Sequence, residues 1–370
     1  MDILSRHSQP YARAFAAALR ADWPIYALAL VYVAFGYLHL ESVGQSAFGT
    51  FGAYVRSWSV NFGVVGPFMV AALGVARIAW RIDRRKRLAY RAMLAPRRVG
   101  RFVAGTVLLL TAMLAFTSMF SSVKASFPAA HGFPFDVAQA DIDKAIHFGV
   151  DPWRLLFAVA RHPLVLRIVE LNYNVLWFVI CYFTLYWVAT SPRTDGIRIR
   201  YLLTWMLSWI VVGNLMAGTW LSAGPAYYGL VTGDTARFGE QLAFLATTAD
   251  SFSSAHNFQA YLWTLHTSGL PGIGSGISAF PSMHVALITI NALFVGEISR
   301  RWALAMWAYV GFVIASSVYL AWHYAIDGYV SVVVVAAIYF GLRRLLPVLA
   351  RLRWRPLPAL AAGSGADAAR

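Results

Sequence analysis

Eight long apolar runs divide this chain, and they decide its class of fold before any motif is read. They cover about Trp23–Leu40, Val60–Trp80, Phe102–Phe120, Val165–Val188, Leu202–Leu221, Met283–Ser299, Trp302–Trp322 and Ala325–Leu342. A helix needs about 20 apolar residues, and at least ~17, to cross a bilayer. The sixth and eighth runs sit near that minimum. In lipid every backbone polar group must bond within its own segment, which favours helices for runs of this length. Only 13% of the residues are charged, against about 25% in a soluble domain. The 14 Trp and 18 Tyr suit a chain with two membrane–water interfaces. The expectation is an all-α, polytopic membrane helical bundle with about eight transmembrane helices.

Basic residues fix the expected orientation. They cluster at Arg6, Arg13 and Arg20, along Arg77–Arg101, at Arg193, Arg198 and Arg200, at Arg300 and Arg301, and from Arg343 to Arg355. With eight spans all these clusters fall on one side, which the positive-inside rule makes the cytoplasm. Both termini are then cytoplasmic. The net charge of +15 resides in these loops, so it implies no nucleic-acid partner. Residues 1–22 read as the start of a signal anchor, without a small-residue cleavage site after the first run. The Ala/Gly-rich end, Ala359–Arg370, reads as disordered. The single cysteine, Cys181, lies in an apolar run and reads as a small buried residue.

Two long segments face the other side. About Ser121–Leu164 mixes charge signs, and within it Val137–Val159 has helical apolar spacing. That stretch either lies flat on the membrane surface or packs on the bundle as an ordinary helix. About Ser222–Pro281 is rich in Gly, Ser, Thr and aromatics, with Arg237 as its strong cation.

Two short stretches carry the chemistry, both expected at the outer surface. In the second, His323 and Asp327 are spaced i, i+4, which places them on one helical face. A carboxylate bonded to one imidazole nitrogen fixes the tautomer and leaves the other as a nucleophile. In the first, Pro281-Ser282-Met283-His284 opens the sixth span. A helix N-terminus attracts phosphate, the Ser282 hydroxyl can donate a hydrogen bond, and His284 can protonate a leaving oxygen. Each stretch alone also has a structural reading: a helix-end ion pair, or a serine cap.

Together they resemble a known pair. Pro281-Ser282-Met283-His284 is similar to the Pro-Ser-Gly-His motif of the type-2 phosphatidic acid phosphatase superfamily. Val318-Tyr319-Leu320-Ala321-Trp322-His323-Tyr324-Ala325-Ile326-Asp327 resembles its third motif, Tyr-Leu-x-x-His-Tyr-x-x-Asp. The resemblance covers about Val165–Leu342. It implies that His323 forms a phosphohistidine, that Asp327 orients it and that His284 protonates the leaving group. Ser282 and nearby backbone would hold the phosphoryl oxygens, with Pro281 and Tyr324 beside them, and no metal or other cofactor is needed.

The chain departs from the pattern where the family carries its phosphate-binding cations. No Lys followed by Arg-Pro precedes the first stretch, and Ser317 stands where the third motif has an arginine. Gly224-Pro225-Ala226-Tyr227-Tyr228 occupies roughly the place of the missing motif. A branch similar to inositol phosphorylceramide synthases also lacks these cations and has a Pro/aromatic stretch there, which makes Tyr227 and Tyr228 substrate-binding candidates. The Asp141–Asp151 region and Asn172 and Asn174 resemble that branch too. Arg237, His256 or His266 would have to replace the missing cations.

Other polar residues have plainer readings: Arg167 pairing with Glu170, Asn214 bonding between helices, Glu297 snorkelling or pairing with Arg300 or Arg301, and His147 and His162 on the surface. The expected organisation is residues 1–120 as N-terminal membrane helices with a basic loop, 121–346 as the phosphatase-like core, and 347–370 as a cytoplasmic tail. The expected function is a membrane enzyme cleaving a phosphoester or pyrophosphate of a phospholipid, sphingolipid or polyprenyl lipid, with water or a lipid hydroxyl as acceptor. The rival readings are a non-catalytic lipid-binding or lipid-transport protein of the same fold, and a secondary transporter, which would carry inverted repeats and mid-membrane charges. The Arg- and Ala-rich composition points to a bacterial inner membrane, with the site facing the periplasm.

Overall fold

The computed structural model describes residues 2–82 and 84–353; they form helices and loops, with no strand among them. In chain order the helices are α1 (Asp2–Ala21), α2 (Trp23–Ser42), α3 (Phe51–Arg81), α4 (Lys86–Met93), α5 (Pro96–Pro128), α6 (Asp136–Ile146), α7 (Pro152–Ala160), α8 (Pro163–Thr190) and α9 (Pro192–Thr219). They continue with α10 (Ala236–Leu245), α11 (Ala255–Ser268), α12 (Met283–Ile298), α13 (Arg300–Tyr319) and α14 (Ala325–Arg353). Proline opens α5, α7, α8 and α9 at their first turns, where its missing N–H costs nothing.

Seven of the described helices (α2, α3, α5, α8, α9, α13 and α14) are long and apolar enough to cross a membrane. The chain is an integral, multi-pass membrane protein. The sixth expected span is α12, which has only 16 residues. Its short length has a physical reason: ten consecutive residues, Val285–Phe294, are buried. It is the central helix, enclosed by α9, α13 and α14, so protein rather than lipid surrounds it. The eighth span is longer than expected, since α14 runs 29 residues to Arg353. The rest of the expected tail, residues 354–370, lies outside the described residues. Outward faces are apolar, as at Leu30, Phe35, Phe68 and Val333, which suits contact with hydrocarbon.

Buried ion pairs close one end of the bundle. Asp22 pairs with Arg101 and Arg198, Arg198 also meets Asp195, and Arg200 meets Glu297. Glu297 therefore pairs with Arg200 and Tyr339, not with Arg300 or Arg301 as expected. Asn214 does bond between helices, accepting from Tyr32. Arg167 and Glu170 do not hydrogen-bond each other. Arg167 reaches Asp250, while Glu170 accepts from Thr248 Oγ1 and the Ala255 amide at 2.8 Å each. One helical turn separates the two side chains, but α8 sends Glu170 inward and leaves Arg167 at the surface.

The stretch with helical spacing folds as α6 and α7, and α6 turns two of its carboxylates inward. Asp136 and Asp143 point inward, while Val137, Ile142, Ile146, Phe148 and Val159 are exposed. α7 packs inward by Trp153 and Phe157, and the two helices contact α13 and α14, which is the reading of an ordinary segment packed on the bundle.

Candidate active site

The geometry at His323 begins with the end of α13. Leu320 ends the helix and Ala321 takes a left-handed conformation, φ 58°. The Trp322 and His323 amides fold back onto the Ser317 carbonyl at 2.9 and 3.3 Å. A non-glycine residue in this region costs about 1 kcal/mol or more. The surrounding bonds hold it there: the Ala226 amide donates to the Ala321 carbonyl at 2.9 Å, and the Gln259 side chain caps the Leu320 carbonyl at 2.8 Å. Gln241 caps Val318 and Tyr319 in the same way. Gly224 lies against this turn with φ 94°, and a Cβ there would come 2.8 Å from the Trp322 carbonyl.

The turn throws His323 back across the chain. Its Nδ1 lies 2.7 Å from the Ala279 carbonyl and 3.1 Å from Asp327 Oδ2. Both partners only accept, so Nδ1 carries the proton and Nε2 keeps its lone pair. Asp327 is fully buried and its Oδ2 also accepts from the Tyr324 amide at 3.1 Å. The two motif stretches are joined directly, because the Ser282 amide donates to the Asp327 carbonyl at 3.2 Å.

His284 enters from the first turn of α12. Its ring stacks on Tyr173 at 4.4 Å and lies 4.1 Å from the Trp177 ring, centroid to centroid. Trp177 also donates to the His284 carbonyl at 3.1 Å. The His284 and His323 rings stand 6.5 Å apart, both on the wall of one cavity.

The cavity holds about 840 Å³. Its far wall is aromatic: Tyr54, Trp58 and Phe62 of α3 face Trp177, Phe178 and Tyr182 of α8. Val65 of α3 and Phe178 and Val179 of α8 line it and are themselves exposed. Nothing in the sequence tied α3 to the motifs, which lie more than 200 residues away.

Two carboxylates of α6 clamp the site from behind. Asp136 accepts from the Ala223 amide at 2.7 Å, the Gly224 amide at 2.8 Å and Tyr324 Oη at 2.8 Å. Asp143 accepts from the Ala325 and Ile326 amides at 3.0 and 3.1 Å, the first turn of α14. Burial pushes both carboxyl groups above the usual carboxylate range, against the pull of these hydrogen bonds. Burial and the neighbouring Asp136 push the Tyr324 phenol well up. Sequence reading missed both carboxylates. Their i, i+7 spacing, opposite the apolar Val137, Ile142 and Ile146, was the available signal.

Of the expected site residues, His323, His284, Asp327 and Tyr227 meet at or directly behind the cavity. Tyr227 lines it, with its ring stacked on Trp263 and its hydroxyl on the Gln259 carbonyl. Ser282 is different: it is fully buried and caps α12, accepting from the Val285 amide at 3.4 Å. Pro281 is buried beside it. Ser282 and Pro281 set the helix start and do not line the cavity. Tyr324 serves the Asp136 clamp rather than the cavity wall.

Arg237 is not placed to bind phosphate. Asp151 accepts from it at 2.8 Å, Asp141 at 2.7 Å and the Ala140 carbonyl at 2.8 Å, and its guanidinium lies over Tyr228. Burial works against its charge, but these carboxylates more than compensate and raise its pKa. Tyr228 belongs to this outer cluster. His266 packs against Phe133 and Trp263, and neither it nor His256 lines the cavity. Among the described residues no group of three or more His, Cys, Asp and Glu is placed to hold a metal ion.

A family model described as the PAP2 superfamily matches residues 138–341, more than half of the chain. No curated protein and no solved structure matches it.

Proposed function

The chain belongs to the PAP2 superfamily, and on that premise we propose that it is an enzyme acting on the phosphate of a membrane lipid through a phosphohistidine at His323. The observation that carries this reading is that the His284–His323 pair lies on the wall of a large cavity lined by the aromatic side chains of α3 and α8. A hydrophilic phosphate ester needs no such gallery, whereas a lipid brings its phosphate to the histidines and leaves its chain between α3 and α8. About 840 Å³ is within the usual ligand-pocket range of roughly 300–1,000 Å³.

The steps follow from the geometry. His323 Nε2 attacks phosphorus while Nδ1 stays bonded to Asp327 and the Ala279 carbonyl, which favours the imidazolium formed on attack. The bond from phosphorus to the lipid oxygen breaks, and that oxygen takes a proton from His284. Water, or the hydroxyl of a second lipid, then gives its proton to His284 and attacks phosphorus, and the P–N bond breaks. Water makes the protein a phosphatase, and a lipid hydroxyl makes it a phosphotransferase. The Pro/aromatic stretch Gly224–Tyr228, which packs against the His323 turn, supports the transferase reading similar to inositol phosphorylceramide synthases.

The ion-paired basic residues gather at one end of the bundle and the histidines at the other. This supports a site facing away from the cytoplasm, and the composition supports a bacterial inner membrane. The non-catalytic reading would leave a free Nε2 beside a second histidine without a use.

The test is a substrate panel. Wild-type protein and His323→Ala in detergent are incubated with phospholipids, polyprenyl pyrophosphates and phosphatidylinositol, with and without a ceramide or other lipid alcohol. Phosphate and new lipids are followed by mass spectrometry. Phosphate release lost in the variant supports a phosphatase, and an acceptor-dependent lipid with little free phosphate supports a transferase. Lipid binding with no turnover by folded wild type favours the non-catalytic reading.

A further inference from the structure

We propose that Lys124, on α5, is the phosphate-binding cation of this site, an assignment that rests on the phosphoryl-transfer reading above. Lys124 lies outside the matched region 138–341, in the N-terminal part of the chain. It is half-buried and lines the same cavity as His284 and His323. Among the described residues no arginine, aspartate or glutamate, and no other lysine, lines that cavity. Lys124 has no hydrogen-bond or ion-pair partner among the described residues.

An ammonium on a cavity wall that carries no carboxylate has no counter-charge of its own and is open to an anion. The two histidines mark where that anion sits. The position is also fixed by the loop that holds the nucleophile. Gly276 packs on the α5 backbone so closely that a Cβ would lie 2.8 Å from the Ala125 nitrogen and 2.9 Å from the Lys124 carbonyl carbon. Three residues later, the Ala279 carbonyl accepts from His323 Nδ1 at 2.7 Å. One short loop therefore sets Lys124 and His323 relative to each other. The strongly basic side chains absent from the motif positions leave a vacancy that Arg237 does not fill, because its carboxylate partners hold it elsewhere.

Purified full-length wild type, Lys124→Met and Lys124→Arg are titrated with orthovanadate, a phosphate analogue. Binding is followed by quenching of tryptophan fluorescence, since Trp177 and Trp322 line the cavity, and melting curves verify folding. Removing one charge-assisted hydrogen bond weakens binding by roughly tenfold or more, so Lys124→Met should bind at least that much more weakly and Lys124→Arg should retain part of the affinity. Should Lys124→Met not fold, amine-selective labelling of wild type decides: vanadate should protect Lys124 and leave Lys86 and Lys144 unprotected. Vanadate that binds wild type and Lys124→Met equally, or that leaves Lys124 labelling unchanged, overturns the assignment while sparing the phosphoryl reading. A wild type that binds no vanadate overturns both.

Discussion

Replacing Asp136 by alanine should unfold the back of the site without touching a reacting atom. Asp136 is buried, and its Oδ2 accepts from the Ala223 amide while Oδ1 accepts from the Gly224 amide and Tyr324 Oη. Truncation leaves three buried donors without an acceptor, each costing about 1–3 kcal/mol. Relief of the buried carboxylate and solvent access return part of that, so a net loss of about 3–5 kcal/mol is expected. At about 2 °C per kcal/mol for a chain of several hundred residues, the melting temperature should fall by roughly 6 °C or more. Asparagine is a poor replacement, because its amide group turns donors toward donors. Tryptophan-fluorescence melts in detergent measure the loss, with turnover followed in parallel. Tyr324→Phe removes one of the three bonds, so the double variant should lose less than the sum of the single ones. Asp136→Ala with wild-type melting and turnover, or strict additivity with Tyr324→Phe, would refute the clamp.

Asp327→Asn should keep the fold but lower turnover by roughly 10³–10⁴-fold, the scale seen when an orienting carboxylate beside a histidine is neutralised; a loss below tenfold in a folded variant would remove Asp327 from the mechanism. Gly224→Ala should be strongly destabilising, since its Cβ meets the Trp322 carbonyl, whereas Ala321→Gly should match or exceed wild-type stability because glycine relieves the left-handed turn; comparative melts test both, and equal melting of Gly224→Ala would contradict the close approach. The raised Asp143 carboxyl gives a pH signature. As pH falls through its raised range the native state takes up that proton before the unfolded chain does, so acidification adds stability through this group. The stability advantage of wild type over Asp143→Asn should therefore grow as pH falls from neutral toward the usual carboxylate range, and a shrinking advantage would mean that the two amide bonds outweigh burial.

Much of the fold was legible because membrane spans announce themselves by length and hydropathy. The exception is α12, whose 16 residues read as a marginal span. Burial inside the bundle frees a helix from bilayer thickness, and a single sequence does not show which helix is central. The dyad was legible because i, i+4 spacing is a local property of a helix, and the register of His284 on the same side followed from counting spans. What the sequence hid is non-local. Asp136 and Asp143 sat in a stretch of mixed charge, where carboxylates ordinarily face water. Arg237 looked free because its partners, Asp141 and Asp151, are some 90 residues away in the chain. Ser282 was expected on the phosphate because a serine at a helix start serves either role, and only the bond to the Val285 amide shows the cap.

The central claim is a covalent bond between phosphorus and His323. Wild-type protein is mixed with a lipid substrate identified from the panel and carrying labelled phosphate, quenched in alkali within milliseconds to seconds, digested and analysed by mass spectrometry. The account predicts acid-labile, alkali-stable phosphate on the peptide containing His323, lost in His323→Ala and accumulating when His284 is replaced and a substrate with a good leaving group is used. Full turnover in His323→Ala, or label found only at another residue, would contradict it.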